Sequence, residues 1–252
     1  MRYRNGSTET VEDTLAEERM LNVEIQEGLS FDTIISPGDI RFFVYGHMYT
    51  EGFVRIVDEL EEYREWEKED VIYVTVRIKD FEVKRSLLKR NYNIIWTECG
   101  SGSGIKRSGD RLTKFDTGLN IKSSDLLKIN SEIKDRTEEH KLTGAFHYAF
   151  LFDKDINLID LAYDIGRHNA VDKVVGKLLI GGVGMEDKIL YVTGRITSDI
   201  CLKCLRARVP VIVSRSAVLD SAVRIAKRYD MGLVGFLRGR RLNIYSDGKI
   251  IT

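Results

Sequence analysis

One cysteine of this chain stands in a segment that has no apolar side chain to bury it. Cys99 follows a short apolar run at 93–96 and precedes the Gly-Ser-Gly-Ser-Gly sequence at 100–104. Glycine permits backbone conformations that other residues avoid, and segments of glycine and serine are flexible. A thiol reacts as its thiolate, and only where a partner can reach it. The segment predicts a reachable, reactive thiol on a mobile arm; the alternative is a flexible connector with an incidental cysteine.

The other two cysteines form a Cys-x-x-Cys pair, Cys201 and Cys204, inside a predicted helix. A redox pair of the thioredoxin kind gains its reactivity at a helix start after a strand, which is not the position here. The chain has no second Cys-x-x-Cys and no histidine pair to complete a zinc site. A deaminase zinc site would also need proline before Cys201, where Ile200 stands. We predict two structural cysteines on a helix face and no zinc.

Two predicted strand-to-helix turns carry arginine. The first holds Arg167 and His168, and the second holds Gly194 and Arg195. Ligands of α/β sheets bind where strands end, and a helix N-terminus favours anions. The arginine fork suits phosphate or carboxylate. We predict that both turns line one anion pocket; the alternative is a capped helix, with Asn169 as the cap, and a surface Arg-His pair.

A third basic turn lies between two predicted strands near the C-terminus, with three arginines around one glycine. Such a turn can clamp phosphate or a guanine dinucleotide, although a solvated hairpin tip is the simpler alternative. The predicted contact residues are Phe236, Leu237, Arg238, Gly239, Arg240 and Arg241. His147, which enters another predicted strand, is a further candidate for the pocket, although a lone strand histidine is more often structural.

The elements that must position these residues fall into two groups. Over 20–80 the pattern predicts hairpin, helix and hairpin, with the helix running from Ser36 to about Gly46, and residues 1–17 are expected to be loosely ordered. After residue 145, strands and helices alternate, which is typical of an α/β layer. The predicted strands are 21–25, 31–35, one within 59–69, 71–78, 145–152, 158–162, 189–192, 211–213, 233–236 and 242–245, and the other helices are 123–133, 170–179, 198–207 and 217–229. We predict a small α+β domain over 1–90 and an α/β core over 91–252.

The composition limits the classes of function. Lysine plus arginine and aspartate plus glutamate number 39 each, so no overall basic field favours nucleic acid as a partner. No apolar run has the length to span a membrane, and the N-terminus lacks an apolar signal core. Three cysteines are too few for a secreted disulfide framework. We expect a cytoplasmic protein with reduced thiols and no membrane contact.

Together, and in this order, these segments resemble the FdhD family of formate dehydrogenase accessory proteins, over nearly the whole chain. The most specific match is the Gly-Arg-His-Asn-Ala-x-Asp-Lys run at 166–173. The other matching segments are Tyr45-Gly46, Glu51-Gly52, Cys99-Gly100, Thr143-Gly144, His147, Asp164-Ile165, Gly194-Arg195 and the run 233–236. The family commonly carries Cys-Gly-x-Cys-Gly in its loop, and here Gly102 stands at the second cysteine. A mechanism that needs a second loop thiol therefore does not suit this chain.

The resemblance implies a cytidine-deaminase-like, three-layer α/β core without the deaminase zinc, plus a smaller N-terminal α+β domain. It implies that Cys99 carries sulfur as a persulfide from a cysteine desulfurase to the molybdenum or tungsten bis(pterin guanine dinucleotide) cofactor of formate dehydrogenase. GDP is then the expected surrogate ligand. A homodimer is expected from the family and from the apolar character of 198–207 and 211–213.

Two other functions fit the same residues. A non-catalytic chaperone would bind the same cofactor with Cys99 incidental. A nucleotide-processing hydrolase on a deaminase-like core would need a metal or an acid–base pair.

Overall fold

The computed structural model describes residues 1–26, 29–80 and 112–252. The predicted strand at 93–96, Cys99 with its glycine–serine segment, and the predicted domain boundary near residue 90 lie outside these ranges. The described residues form one two-stranded, one four-stranded and one six-stranded sheet.

The N-terminal segment is more ordered than the sequence predicts. Strands β1 (Arg2–Arg4) and β2 (Ser7–Glu9) pair as an antiparallel hairpin. Asn5 and Gly6 join them, both with positive φ (51° and 85°). An Asn-Gly pair is the strongest local signal for a two-residue hairpin turn, because both residues tolerate positive φ. The expectation of a loosely ordered N-terminus was therefore wrong at these residues.

The four-stranded sheet confirms the predicted hairpin, helix and hairpin. Its strands are β3 (Arg19–Ile25), β4 (Leu29–Ile35), β5 (Leu60–Lys68) and β6 (Val71–Ile78), in the order β4-β3-β6-β5, and a short 3-10 helix (Val57–Glu59) precedes β5. Strand β3 runs antiparallel to β4 and parallel to β6. Helix α1 (Ile40–Thr50) packs Phe43 and Met48 into one hydrophobic cluster with Leu21 and Val23 of β3. Alternate buried residues along β3 give this sheet one apolar face.

Helix α1 begins four residues later than predicted, and it ends at Thr50 rather than near Gly46. Asp39, with a φ of 56°, precedes it and makes no side-chain cap bond. The predicted cap, Ser36, has another partner: its hydroxyl donates to Oδ2 of Asp164, 2.8 Å away in the second sheet. A long-range bond therefore takes the place of the local one.

The six-stranded sheet has the order β12-β11-β10-β9-β7-β8. Its strands are β7 (His147–Phe152), β8 (Leu158–Asp164), β9 (Ile189–Val192), β10 (Val211–Ser214), β11 (Gly232–Arg238) and β12 (Arg241–Ser246). Strands β9, β10 and β11 are parallel, β7 is antiparallel to β8 and β9, and β12 is antiparallel to β11. The mixed α/β fold class is thus confirmed, with a hydrophobic cluster of its own around this sheet.

The helices that accompany this sheet are α2 (Ser123–Leu126), α3 (Ile129–Glu132), α4 (Glu138–Thr143), α5 (Arg167–Ile180), α6 (Ser198–Arg206) and α7 (Asp220–Arg228). The single helix predicted over 123–133 is two short helices, and α4 was not predicted. Helix α7 starts three residues later than predicted because Val218 forms an isolated bridge with Ile196, and Ala217 accepts a hydrogen bond from the Ile196 amide at 3.0 Å.

The apolar residues used to argue for a dimer lie inside the protein. In α6, Ile200 and Leu205 are 1% exposed, and β10 is buried along its whole length between β9 and β11. These residues complete the core of one chain and do not themselves form an apolar surface for a second copy. The homodimer stays a prediction that rests on the family resemblance alone.

Helices α1 and α5 approach each other more closely than side chains would allow. A Cβ atom built on Gly46 of α1 would lie 1.8 Å from the Asp172 carbonyl oxygen of α5. A Cβ on Gly176 of α5 would lie 1.8 Å from the Phe42 carbonyl oxygen of α1. Both obstacles are backbone atoms, which cannot turn aside as a side chain can. Glycine at both positions therefore fixes how the N-terminal sheet and its helix rest on the second sheet.

We predict that Gly46→Ala lowers the free energy of unfolding by about 3 kcal/mol, because overpacking against backbone exceeds the ~1 kcal/mol that alanine gains over glycine in a helix. Urea unfolding measures this difference. The control is Gly184→Ala, whose Cβ would meet only the flexible Glu186 carboxylate at 3.3 Å; it should change stability by about 0.5 kcal/mol or less. Equal losses in the two variants would contradict the close approach.

Candidate functional site

The predicted site segments meet at one edge of the six-stranded sheet. The parallel strands β9, β10 and β11 all end at this edge. Strand β7 begins there because it is antiparallel to β9, and β8 ends there, with Asp164 opposite His147. The edge thus collects His147, Arg167, Arg195 and the end of β11. Ligands of open α/β sheets bind at such an edge.

Gly194 brings two of the predicted turns together. A Cβ atom on Gly194 would lie 3.2 Å from both Cβ and Cδ of Arg167, and 3.4 Å from Nδ1 of His147. Two hydrogen bonds between Thr193 and Tyr148 hold the end of β9 against the start of β7: the Tyr148 amide donates to the Thr193 hydroxyl at 3.0 Å, and the Thr193 amide donates to the Tyr148 carbonyl at 3.1 Å. The structure therefore places His147 beside the first two basic turns.

The charges around His147 favour an anion. Burial lowers the pKa of His147, and the positive charge of Arg167 lowers it further, with smaller contributions that include Arg195. The imidazole is therefore neutral at neutral pH and adds no charge of its own. Arg195 itself is exposed. This half of the edge presents cationic groups to the solvent around an uncharged ring.

His168 belongs to a different environment from His147. Burial, followed by the charges of Lys203 and Arg167, lowers the pKa of His168 to about 4. Its Nε2 atom is buried and has no hydrogen-bond partner among the described residues. The acidic groups that act on it are Asp172 and Glu51. His168 thus lies beside a buried ionic cluster, in its neutral form.

That buried ionic cluster joins three helices. Lys203 Nζ of α6 lies 2.7 Å from Oδ2 of Asp172 on α5 and 3.0 Å from Oε1 of Glu51, the residue that follows α1. Thr50 donates to Asp172 Oδ1 at 2.7 Å, and His47 Nδ1 lies 2.9 Å from Asp172 Oδ2. The carboxylate and the ammonium group are both almost fully buried. Each charge is matched by partners from other helices, as a buried ion pair requires.

A second buried pair joins the same regions. Lys173 Nζ lies 2.7 Å from Oδ2 of Asp164 and donates to the Ser36 carbonyl oxygen at 3.1 Å. Asn169 Nδ2 donates to Asp164 Oδ1 and to the Ile34 carbonyl oxygen, both at 3.0 Å. Asn169 is therefore a bridge between the two sheets, and it is not the N-cap of α5, which is Gly166.

The run at 166–173 thus divides into two roles. Asn169, Asp172 and Lys173 hold the two sheets together, and Arg167 faces the sheet edge. Sequence reasoning placed Arg167 and His168 in a ligand-binding turn, with Asn169 as a helix cap in the alternative, and it missed the bridging role of the other residues. The available signal was charge inside an apolar helix, because Asp172 and Lys173 lie between Val171 and Val174, and charges in that position are buried only when paired.

Some residues of the third predicted turn, between β11 and β12, lie at the same edge of the six-stranded sheet. Phe236 has a φ of 53° and lies in a β-bulge between Gly235 and Arg238. Its amide donates to the Ser216 carbonyl oxygen at 3.0 Å. Arg238 Nε donates to the Arg215 carbonyl oxygen at 3.1 Å. These bonds place Phe236 and Arg238 over the end of β10.

The remaining residues of that turn are placed differently. Leu237 is fully buried in the core, so its side chain is a packing residue and only its backbone is left for the predicted ligand contact. Arg240 and Arg241 are exposed at the hairpin tip, where the Gly239 carbonyl oxygen accepts a hydrogen bond from Asn130 of α3 at 3.1 Å. Sequence reasoning did not assign Arg215 to the site. Arg215 follows β10 directly, much as Arg195 follows β9, but lacks the neighbouring glycine that singled out Arg195.

The Cys-x-x-Cys pair is buried in α6. Cys201 and Cys204 are at most 1% exposed, and burial raises the pKa of both thiols. Cys201 donates a weak hydrogen bond to the Ala222 carbonyl oxygen at 3.8 Å. These properties are those of structural cysteines, as predicted. Within the described ranges, no group of three or more His, Cys, Asp or Glu side chains is arranged to hold a metal ion, and no helix is long and apolar enough to cross a membrane.

The fold of this chain is shared by a solved structure. The chain is similar to a crystal structure from Desulfotalea psychrophila, described as that of a formate dehydrogenase accessory protein, with a TM-score of 0.76 and 22% identity over 99% of this chain and 95% of the other. The likeness of the core to cytidine deaminases stays a prediction.

Sequence comparison then gives the family: the chain belongs to the FdhD/NarQ family, whose model matches residues 16–252. It is 31% identical to the sulfur carrier protein FdhD of Bacillus pumilus, over 99% of this chain and 95% of that protein. It is also 31% identical to the protein FdhD of Methanocaldococcus jannaschii, over 95% of this chain and 91% of that protein. The family resemblance drawn from the sequence is thereby confirmed.

The buried cluster gives a pH-dependent prediction. Burial raises the pKa of Asp172, but the charge of Lys203 and the bond from His47 outweigh it, so the pKa in the folded protein is below its usual value. The carboxylate therefore stabilises the fold above the unfolded pKa of about 4, and this contribution is lost as the pH falls through the folded pKa. Without Lys203, we expect the effect of burial to outweigh that of the His47 bond and to raise the pKa of Asp172 in the folded protein above its unfolded value. The stability of such a variant would then fall as the pH rises.

We predict that Lys203→Met lowers the free energy of unfolding by about 3–5 kcal/mol at pH 7, and by clearly less near pH 4. Urea unfolding at the two pH values measures both. The control is Lys128→Met, which removes an exposed ion pair with Asp125 (2.9 Å) and should cost about 0.5 kcal/mol or less at either pH. An equal loss of stability for Lys203→Met at both pH values would contradict this prediction, because it would show that the loss does not come from the ionised Asp172 carboxylate.

Proposed function

We propose that this chain is a sulfur carrier for the maturation of formate dehydrogenase. Cys99 receives sulfur from a cysteine desulfurase and passes it to the molybdenum or tungsten bis(pterin guanine dinucleotide) cofactor, which is the substrate of the transfer. Membership of the FdhD/NarQ family and the names of the relatives, sulfur carrier proteins FdhD, support the general role. The finer assignments rest on the residues of this chain.

One observation carries the choice of Cys99: the other two cysteines are buried. A carrier thiol must meet a donor protein and then a cofactor, so it must be reachable and must ionise. Cys201 and Cys204 meet neither condition, since both are enclosed in the core and burial raises the pKa of each thiol. The chain has three cysteines, so Cys99 is the one that remains. Its sequence neighbours at 100–104 are all glycine or serine, which have no apolar side chain that could bury the thiol.

The transfer onto Cys99 is a thiol–persulfide exchange. The Cys99 thiolate attacks the outer sulfur of the donor's persulfide, a new S–S bond forms on Cys99, and the donor's own S–S bond breaks. The donor cysteine leaves as a thiolate. The outer sulfur keeps its proton as it moves to Cys99, so the exchange needs no oxidant or reductant. A single cysteine is sufficient, which suits a chain with Gly102 at the family's second loop position.

The sheet edge is the proposed binding surface for the guanine dinucleotide substrate. Arg195 and Arg238 are exposed, and neither forms an ion pair with a carboxylate in the part of the chain that the structure describes. Arg167, His147, His168 and the turn from Phe236 to Arg241 complete the proposed contacts, except that Leu237 and Gly239 would offer backbone only. Guanidinium groups bind phosphate through paired hydrogen bonds. GDP is the probe that we expect to bind here.

We predict that Cys99→Ser abolishes sulfur loading without unfolding the protein. The test incubates each protein with a cysteine desulfurase and cysteine, and intact-protein mass spectrometry then looks for one added sulfur atom. The control is the double variant Cys201→Ser, Cys204→Ser, which should still load sulfur although it loses core stability. Loading of Cys99→Ser, combined with no loading of a folded double variant, would assign the carrier role to the buried pair instead.

We predict that replacing Arg238, Arg240 and Arg241 together by alanine weakens GDP binding by about tenfold or more, since each charged hydrogen bond lost costs about 1.5–3 kcal/mol. Titration calorimetry measures the affinity. For the wild-type protein the affinity should also fall as salt rises, because exposed charges are screened. An unchanged GDP affinity in the triple variant would remove this turn from the site.

A further inference from the structure

One buried hydroxyl group, near the end of β9, has no hydrogen-bond partner among the described residues. Tyr191 of β9 is 0% exposed, and its hydroxyl forms no hydrogen bond with any residue in the described ranges. Its ring packs edge-on against Phe150, with 5.9 Å between the ring centroids. A buried polar atom without a partner costs free energy, and such atoms are rare in native proteins unless something else satisfies them. The hydroxyl therefore needs an explanation that the core packing does not give.

The backbone beside Tyr191 carries two arginines. Tyr191 pairs in register with Val213 of β10, and two residues further on the Arg215 amide donates to the Val192 carbonyl oxygen at 3.3 Å. Arg238 is held at the same place, since its Nε donates to the Arg215 carbonyl oxygen at 3.1 Å. Burial raises the pKa of Tyr191 to about 12, and the charges of Arg215 and Arg238 act against that rise. At neutral pH the phenol keeps its proton and is a donor.

The two guanidinium groups are available for a ligand. Both side chains are exposed, and neither is paired with a carboxylate among the described residues. The backbone that carries Arg238 is held in an unusual form, with a φ of 53° at Phe236 and a bulge between Gly235 and Arg238. Such conformations are costly for a residue with a side chain, and they concentrate where proteins bind ligands.

We propose that the Tyr191 hydroxyl, Arg215 and Arg238 form a subsite for one phosphate group. Two of the three groups are pure donors with positive charge, and the third is a neutral donor without a hydrogen-bond partner in the part of the chain that the structure describes. A ligand that satisfies all three must offer several acceptor oxygens and negative charge, which describes a tetrahedral oxyanion. An aliphatic or cationic ligand would leave the hydroxyl unpaired or repel the arginines.

This subsite deepens the proposed function and rests on it in one respect: the phosphate would belong to the guanine dinucleotide substrate. Free pyrophosphate offers the same acceptor oxygens and negative charge as a phosphate of the dinucleotide, and the experiment distinguishes these two ligands. The subsite adds Tyr191 and Arg215 to the residues that the sequence predicts. It also gives the bulge at Phe236 a purpose, since the bulge sets the position from which Arg238 reaches the end of β10.

The test measures binding of pyrophosphate, GDP and guanosine by calorimetry to the wild-type protein and to Tyr191→Phe, Arg215→Ala and Arg238→Ala. We expect each variant to bind pyrophosphate and GDP about tenfold to hundredfold more weakly, the range for one charge-assisted hydrogen bond. Guanosine, which has no phosphate, should bind the variants and the wild type alike. The control is Arg224→Ala, which removes the same charge from the exposed pair with Asp220 and should leave all affinities unchanged.

Tyr191→Phe also permits a second measurement, which distinguishes a ligand-binding hydroxyl from one that has a structural role. Without ligand, this variant should melt at the same temperature as the wild type or higher, because it removes a buried hydroxyl that has no partner. Pyrophosphate should raise the melting temperature of the wild type more than that of the variant. A lower melting temperature without ligand would mean that the hydroxyl already has a structural partner, which would overturn the proposal.

The remaining outcomes are equally decisive. Wild-type binding of pyrophosphate or GDP that none of the three variants weakens would overturn the subsite and leave the proposed function standing. No binding of either compound by the wild type would overturn both the subsite and the proposed substrate surface. Sulfur loading of wild-type Cys99 is measured separately and needs no phosphate, so it reports on the carrier role alone. Pyrophosphate that binds as tightly as GDP would identify a site for a free oxyanion.

Discussion

The ion pair between Lys203 and Asp172 is the interaction on which the arrangement of this molecule depends. Both groups lie in the interior, where an unpaired charge costs several kcal/mol, so each must be fully matched. The matching groups come from the end of α1, namely His47, Thr50 and Glu51, while the pair itself joins α5 to α6. Satisfying the pair therefore requires α1 to lie on α5, and the glycines at 46 and 176 make that approach possible.

The same helix that carries Asp172 also carries the site. Arg167 is the first residue of α5, and its side chain lies against Gly194 at the end of β9. Fixing α5 through Asp172 and Lys173 therefore fixes where Arg167 stands on the sheet edge. His168, between the two, is neutral because burial and the neighbouring cations disfavour its charged form. The buried network thus acts as a support for the edge, and Arg167 has little freedom relative to His147.

The sequence predicts local features of this fold well and long-range partners poorly. Val71–Ile78 and Ile189–Val192 were predicted with the observed bounds, because alternation and β-branched residues are local signals. The roles of Asp164 and Lys173 were missed because their partner, Ser36, lies 128 residues from Asp164. In the sequence, a charged residue that is paired in the core cannot be distinguished from one that binds a ligand. Only the fold shows which residue is its partner. Among the site residues, the turns at Arg167 and Arg195 were found because each has a neighbouring glycine, and Arg215 has none.

A chain with no net charge can still present a basic edge, because its charges are separated in space. Glutamates such as Glu61, Glu62 and Glu67 are exposed on β5, an edge strand of the four-stranded sheet, where charge also discourages pairing with another strand. Arg195, Arg215 and Arg238 lie at one edge of the six-stranded sheet. The charges of the buried Lys–Asp pairs neutralise each other. An anion that approaches the protein therefore meets a local positive field that the overall charge of zero conceals. Since the described carboxylates do not neutralise Arg195, Arg215 and Arg238, binding an oxyanion there requires no internal ion pair to be broken first.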